Sequence, residues 1–139
     1  MSDQTYSVTP IGFVRSVLKI REKAPRQGYE GAPDAWLDLN PGVAEALKGI
    51  APGEELIVLT WFHLAARDVL TVHPRGERKN PLTGVFLTRS PDRPNPIGLH
   101  RVQVLEVVGT NLRVAPLEAV DGTPIIDLKA VLASAFENL

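Results

Sequence analysis

The sequence of 139 residues contains no cysteine. Disulfide bonds, thiolate metal sites and cysteine nucleophiles are therefore excluded. Aromatic residues make up only 6% of the chain, and no apolar run approaches the roughly 18 residues that a membrane-spanning helix needs. The first ten residues also lack the charged segment and apolar core of a signal peptide. These absences lead us to expect a cytoplasmic protein that does not contact a membrane.

What is present is the composition of an ordinary globular domain. Hydrophobic residues make up 44% and charged residues 22% of the sequence, and a chain of this length can bury one hydrophobic core. Because no linker or internal repeat interrupts the sequence, we expect a single domain over residues 1–139.

The net charge is only −1, but the charges are unevenly distributed. Residues 63–101 contain seven basic and three acidic residues together with all three histidines, and the rest of the chain has a net negative charge. A positive face on a nearly neutral protein suits an anionic ligand. The alternative is that two long solvated loops, at 18–35 and 65–83, simply include many basic residues.

Short segments of β-branched and aliphatic residues predict a mainly β fold. The most hydrophobic segment, 55–63, is predicted as a central strand that is buried on both faces. About six to eight strands without βαβ alternation favour an antiparallel, β-barrel-like domain with one or two short helices. The predicted strands are 6–15, 36–39, 55–63, 85–88, 97–108, 112–117 and 125–128, with turns at 109–111 and 121–124.

One helix is predicted to begin after Asn40. The side chain of Asn40 can cap the free backbone N–H groups, and Pro41 suits the first helical position. Gly49 then ends the helix. A second helix or a frayed end is predicted over 130–139.

The segment 84–101 has the sequence GVFLTRSPDRPNPIGLHR and is the richest in polar chemistry. Its three prolines make the loop 89–96, called here the proline-rich loop, stiff, because each proline fixes φ and removes a backbone donor. The loop carries two arginines, a serine, an aspartate and an asparagine. A stiff loop that displays such a polar cluster on a β scaffold is typical of a binding site. The alternative is an anchored surface connection whose arginines pair with Asp92 and the backbone.

Several common sites are not indicated. There is no Walker-type loop, and no G-x-G-x-x-G follows a strand. No metal is expected, because His63, His73 and His100 do not have the spacing of a known metal site. A triad of Ser90, His63 and Asp92 can be written, but no glycine-flanked nucleophile elbow surrounds the serine.

Separated motifs in the correct order resemble the TsaA-like (YaeB-like) family of methyltransferases that use S-adenosyl-L-methionine. The resemblance covers roughly residues 8–129. It implies a dimeric, β-barrel-like domain that binds this methyl donor without a Rossmann sheet and methylates N6-threonylcarbamoyladenosine beside the tRNA anticodon. The motifs are PIGFVRS at 10–16, PRQ at 25–27, WFH at 61–63, the segment 84–99, and DGTP and DLK within 121–129.

The resemblance also implies which residues contact the methyl donor. An arginine such as Arg89 suits the carboxylate of the donor, apolar walls suit its adenine, and an acid such as Glu118 suits its cationic sulfonium. The implied donor contacts are Gln27, Gly28, Tyr29, His63, Leu64, Arg89, Leu99, Ala115, Pro116, Leu117 and Glu118.

Candidate contacts to a tRNA substrate are Arg75, Arg78, Lys79, Arg93 and Asn95. A general base would only need to remove a proton from the accepting nitrogen. The sequence does not identify that base, and His63 and Asp121 are the candidates.

The chain departs from the family at two positions. Members often have Ser or Thr where this chain has His100, and often close with Lys-Pro-Tyr where it has Lys129 followed by Ala-Val. Longer bacterial members also carry a further C-terminal domain. Two alternatives therefore remain open: a methyltransferase of another nucleoside or small molecule, and a non-catalytic module that binds S-adenosylmethionine or RNA.

Overall fold

The computed structural model describes residues 3–132. The mainly β, antiparallel prediction is confirmed in this part of the chain. The strands are β1 Gly12–Arg15, β2 Ala35–Leu39, β3 Glu55–Trp61, β4 Thr71–Val72, β5 Thr83–Gly84, β6 Ile97–Val108, β7 Asn111–Ala115 and β8 Pro124–Ala130. Short 3-10 helices are Arg21–Lys23, Gly28–Glu30, Pro41–Leu47, Pro74–Gly76 and Val85–Leu87.

Six of these strands form one antiparallel sheet in the order β1-β2-β7-β6-β3-β8. Because β8 also pairs with β1, the strand order closes on itself as a barrel. Strand β3 pairs with β6 on one side and with β8 on the other. Its consecutive residues 56–58 are all buried, as predicted for a strand covered on both faces. Strands β4 and β5 form a separate pair.

The hydrophobic core lies inside the closed sheet. Alternate residues of each strand point inward, because successive side chains of a strand face opposite sides. Leu37 on β2, Leu112 and Val114 on β7 and Ile125 on β8 are fully buried. Each such burial contributes roughly 1.5–3 kcal/mol, so these side chains stabilise the wall that carries the cleft loops.

The predicted strand at 85–88 is wrong. Residues Val85–Leu87 form a 3-10 helix, and Phe86 and Leu87 are 81% and 87% exposed. The reason is local: the Val85 carbonyl accepts hydrogen bonds from Thr88 N at 3.0 Å, Thr88 Oγ1 at 2.8 Å and Arg93 Nη2 at 2.7 Å. These bonds turn the backbone away from the extended geometry that a strand requires.

The helix predicted after Asn40 is a seven-residue 3-10 helix, Pro41–Leu47. Proline does stand at its start, but the Asn40 side chain does not cap it and instead donates from Nδ2 to the Pro10 carbonyl at 3.2 Å. The predicted C-terminal helix overlaps β8 at Ala130, and its part from 133 to 139 lies outside the residues described. No helix between residues 3 and 132 is long and apolar enough to cross a membrane.

Candidate functional site

A cleft of about 1560 Å³ lies where the loops between the strands meet. Its walls come from the loop between β1 and β2, the loop between β3 and β5, the proline-rich loop and the segment after β7. Ligand sites for small molecules commonly occupy about 300–1,000 Å³. The cleft is therefore large enough for a small molecule and part of a second ligand.

Three segments that the family resemblance assigned to the methyl donor come together in this cleft. They lie on the 3-10 helix before β2, directly after β3, and directly after β7. One predicted contact does not reach the cleft, because Leu117 is fully buried in the core. The predicted residues that do line it are Gln27, Gly28, Tyr29, His63, Leu64, Arg89, Leu99, Ala115, Pro116 and Glu118.

Gly28 marks the point where two of these segments touch. A Cβ atom added to Gly28 would lie 3.2 Å from Glu118 Oε2 and 3.2 Å from Pro116 Cγ. The turn that contains Gly28 is held by Glu30, whose Oε2 accepts a hydrogen bond from Gln27 N at 3.2 Å. The missing side chain therefore lets this turn lie against the segment that leaves β7.

The cleft also contains a buried polar network that the sequence analysis did not identify. His100 on β6 is only 3% exposed. Its Nε2 lies 2.7 Å from Thr60 Oγ1 on β3, and its Nδ1 is hydrogen-bonded to Glu118 Oε1. Both ring nitrogens are thus occupied, while the second oxygen of Glu118 faces Gly28.

Gly98 makes room for this network. A Cβ atom at position 98 would lie within 3.0 Å of Thr60 Oγ1, Phe62 Cζ and His100 Nε2. The rings of Phe62 and His100 meet edge to face, with centroids 5.8 Å apart. The absence of a side chain at Gly98 is therefore needed for packing around the imidazole.

The proline-rich loop uses Arg93 to hold itself together. Arg93 Nη1 donates to the carbonyls of Thr88 and Ser90 at 3.1 and 3.2 Å, and Nη2 donates to Val85. Arg93 is not among the residues that line the cleft. The predicted contact between Arg93 and substrate has no support from this geometry.

Asn95, the other substrate contact predicted in this loop, is also engaged within the protein. Its Oδ1 accepts a hydrogen bond from Arg67 Nη2 at 2.9 Å, and the Arg67 guanidinium stacks over Trp61 at 5.1 Å. Asn95 does not line the cleft. It anchors the loop to the segment that follows β3.

Asp92 joins three loops around the cleft. Its carboxylate accepts hydrogen bonds from Arg21 Nη2 at 2.7 Å and from Ala66 N at 2.9 Å. Burial raises the pKa of Asp92, but these two hydrogen bonds outweigh burial and hold the pKa below its ordinary value. Asp92 is therefore an ionised anchor at neutral pH, with Arg21 rather than a loop arginine as its partner.

Arg89 differs from the other arginine of the loop. It is exposed, it lines the cleft, and within residues 3–132 its side chain has no hydrogen bond or ion pair. A guanidinium in this position can form paired hydrogen bonds with a carboxylate or phosphate of a ligand.

The basic residues of the loop between β4 and β5 are placed differently from one another. Arg75 and Arg78 line the cleft, whereas Lys79 does not and instead pairs with Glu77 at 3.0 Å. Arg75 has a left-handed φ of 59°, which is uncommon for a residue other than glycine, and forms an ion pair with Glu30. That pair connects this loop to the turn that contains Gly28.

The two candidate bases also differ. His63 is exposed and lines the cleft. Asp121 does not line it: its Oδ1 accepts from Ser16 N at 2.9 Å and its Oδ2 lies 3.1 Å from Lys19 Nζ. The hydrogen bonds from Ser16 and Lys19 lower the pKa of Asp121, which makes it a weak base in a turn.

Metal chemistry has no obvious location in the described part of the chain. From residue 3 to residue 132, no group of three or more His, Asp or Glu side chains is placed to hold a metal ion. His73 is engaged with the Asn80 carbonyl through Nδ1 at 2.9 Å.

Comparison with known proteins identifies relatives over most of the chain. The family model described as tRNA-methyltransferase O N-terminal domain matches residues 13–135. A probable S-adenosyl-L-methionine-binding protein of Methanothermobacter thermautotrophicus is 46% identical over 129 residues, which cover 93% of this chain and 92% of the relative. An S-adenosyl-L-methionine-binding protein of Archaeoglobus fulgidus is 45% identical over 120 residues, which cover 86% and 85%.

Solved structures of TrmO have the same fold. The crystal structure of TrmO from P. aeruginosa matches with a TM-score of 0.76 and 31% identity and covers 99% of this chain. A second TrmO structure matches with a TM-score of 0.75 and 29% identity. This chain spans only 61% and 62% of those two solved chains.

Proposed function

Since the chain belongs to the family of tRNA-methyltransferase O N-terminal domains, we propose that it binds S-adenosyl-L-methionine in the cleft and transfers the methyl group to tRNA. The favoured acceptor is N6 of threonylcarbamoyladenosine beside the anticodon. The observation that carries the proposal is the meeting of segments 27–29, 63–64 and 115–118 around one cleft, beside an Arg89 side chain that has no partner between residues 3 and 132.

The chemistry of the cleft fits such a donor. Arg89 binds the donor's carboxylate as a planar cation. Leu99, Ala115 and Pro116 supply the apolar contacts that an adenine needs. Glu118, whose side chain is 11% exposed, presents its second oxygen toward the turn at Gly28 and supplies negative charge for the sulfonium. When bound, the donor supplies an electrophilic methyl group.

The protein's contribution to transfer is positioning and proton removal. Holding donor and acceptor in line supplies much of the catalysis of a displacement reaction. His63 is the base we favour, because it is an exposed imidazole at the cleft that has no partner among the described residues. It accepts the proton from the attacking nitrogen. Asp121 is not favoured, since its carboxylate is held by Ser16 and Lys19.

The acceptor RNA is held by the basic rim of the cleft. Arg75 and Arg78 line it, and Lys79 beside them is 80% exposed at its side chain. Cations in this arrangement contact phosphates and release counterions, which makes binding salt-dependent. We also propose a homodimer, supported by the exposed apolar side chains of Phe86 and Leu87, which a second subunit would cover.

Calorimetric titration with S-adenosylmethionine tests the donor site. We expect micromolar binding by the wild-type protein and loss of binding in Arg89→Ala. Arg15→Ala is the matched control, because Arg15 pairs with Asp38 outside the cleft, and its binding should be unchanged. Absence of binding by the wild-type protein would overturn the proposed function.

A non-catalytic S-adenosylmethionine-binding module is the second candidate. It is favoured by the names of the archaeal relatives, which describe binding of S-adenosyl-L-methionine. Incubation with the donor and tRNA that lacks the N6-methyl group separates the two candidates. Methylated threonylcarbamoyladenosine in the nucleoside digest supports the enzyme, a different methylated nucleoside identifies another acceptor, and donor binding without any methyl transfer supports the module.

A further inference from the structure

The two carboxylate oxygens of Glu118 have different surroundings. Oε1 is hydrogen-bonded to His100 Nδ1, and Oε2 faces Gly28 at the cleft. Within residues 3–132 no hydrogen bond of the protein is made to Oε2. The carboxylate is therefore anchored on one side and available to a ligand on the other.

We propose that His100 is a positioning residue that fixes Glu118 so that its free oxygen faces the sulfonium of the methyl donor. This inference rests on the proposed function. It assigns a role to a histidine that the family resemblance did not account for, at a position where members often have a small hydroxyl residue.

The imidazole of His100 is well suited to hold a carboxylate in one orientation. Its side chain is only 1% exposed. Thr60 Oγ1 occupies Nε2, and the edge-to-face contact with Phe62 limits rotation of the ring. Because a carboxylate oxygen accepts, Nδ1 donates to Glu118, and the Thr60 hydroxyl can donate to Nε2. An N–H group of fixed direction favours one orientation of the carboxylate.

The location of the pair argues for a role beyond packing. His100 occupies an inward position of β6, in line with Val102 and Val104, where an aliphatic side chain would fill the core without a polar partner. Burying a charged or polar group is unfavourable unless it is hydrogen-bonded. The network is built next to Gly28 and Pro116, which are residues of the donor cleft.

The ratio of the protein's affinities for the methyl donor and for its demethylated product reports on the protein charge that lies near the ligand's sulfur atom. The donor carries a sulfonium cation, whereas the product, S-adenosylhomocysteine, carries a neutral thioether. A correctly oriented carboxylate favours the cation over the thioether. A defect that only loosens the cleft weakens both ligands alike, so the ratio of the two affinities distinguishes positioning from general structure.

The test is calorimetric titration of the wild-type protein and four variants with each ligand. His100→Leu removes the N–H group that donates a hydrogen bond to Glu118. We expect the preference for the sulfonium ligand over the thioether to fall about tenfold. Glu118→Gln should lower it by a similar factor. His100→Asn places an amide N–H near the position of Nδ1 and should restore most of the preference. Thr60→Val should have a smaller effect than His100→Leu.

A second readout does not depend on any ligand. In the ligand-free protein the imidazole N–H bonded to Glu118 should give a protected, downfield proton signal that Glu118→Gln shifts or removes. If His100→Leu does not fold, this signal and the comparison of Glu118→Gln with His100→Asn still decide the question.

The outcomes separate the two proposals. Failure of the wild-type protein to bind either ligand overturns the proposed function and this inference with it. Binding by the wild-type protein with an unchanged preference in His100→Leu and Glu118→Gln overturns the inference alone. An equal loss of both ligands in His100→Leu also overturns it, because it assigns the histidine a purely structural role.

Discussion

The middle of segment 84–101 and its C-terminal end use polar residues in opposite ways. In the proline-rich loop, Arg93 and Asn95 are bonded within the protein and lie outside the cleft. A few residues later, on β6, His100 connects the barrel wall to a carboxylate in the cleft. One polar motif can therefore contain both residues that support the loop and residues of the site, and residue type alone does not separate the two roles.

The largest effect is a loss of stability, and we expect it from a substitution at Gly98 on β6. Gly98→Ala places a Cβ within 3.0 Å of Thr60, Phe62 and His100, so the free energy of unfolding should fall by about 3 kcal/mol. Urea denaturation measures this change. Gly84→Ala is the control, since a Cβ there meets nothing within 4 Å. Equal stability of the two variants would contradict the packing described for Gly98.

The two arginines of the proline-rich loop should differ in how much each contributes to stability. Arg93→Ala removes the donor to three backbone carbonyls, and stability should fall by about 2 kcal/mol. Arg89→Ala, at an exposed side chain, should change stability by less than about 0.5 kcal/mol while abolishing donor binding. Thermal unfolding and calorimetry measure the two effects. Equal stability losses in both variants would remove the distinction between scaffold and site.

A smaller effect, on tRNA affinity, is expected from a charge reversal at the basic rim of the cleft. Arg78→Glu reverses a charge that lines the cleft, so tRNA affinity should fall about fivefold at low salt and depend less steeply on salt. Donor affinity should stay the same. Lys48→Glu makes the same charge change outside the cleft and is the control. Similar tRNA affinities of the two variants in a filter-binding assay would place the RNA elsewhere.

The smallest effect on stability is expected at Asp92, which anchors the proline-rich loop. The pKa of Asp92 is held below its ordinary value of 3.8, so the ionised side chain stabilises the fold above that pH. The stabilisation is lost as the pH falls through the lowered pKa. Asp92→Asn should therefore cost about 1 kcal/mol at neutral pH, and the difference from wild type should shrink in acid. Denaturation at several pH values measures it, with the exposed Asp68→Asn as control. A difference in unfolding free energy between Asp92→Asn and wild type that grows in acid would contradict the expected pH dependence.

Much of the barrel could be predicted from local patterns. The apolar run of β3 indicated a central strand, and the turn at 109–111 marked the two-residue connection between β6 and β7. The segment 85–88 looked like a strand by composition, but side chains three and eight residues further along bond to the Val85 carbonyl. Strand propensity depends on residue type and does not include hydrogen bonds from side chains elsewhere in the chain.

The site was only partly visible in the sequence. Alternation along β6 places His100 on the same face as Val102 and Val104, which signals a buried histidine that needs partners. Those partners, Thr60 and Glu118, are 40 and 18 residues away. No local pattern identifies them, because the pairing of β3 with β6 and the path of the chain after β7 bring them together.

The position of Asp92 has a consequence for how two stretches of the chain at the cleft open to solvent. One carboxylate holds the loop between β1 and β2 through Arg21 and the segment after β3 through Ala66. Regions that share an anchor open as one cooperative unit rather than independently. Amide hydrogens in these two stretches, which the ion pair between Arg75 and Glu30 also links, should therefore exchange with solvent at correlated rates.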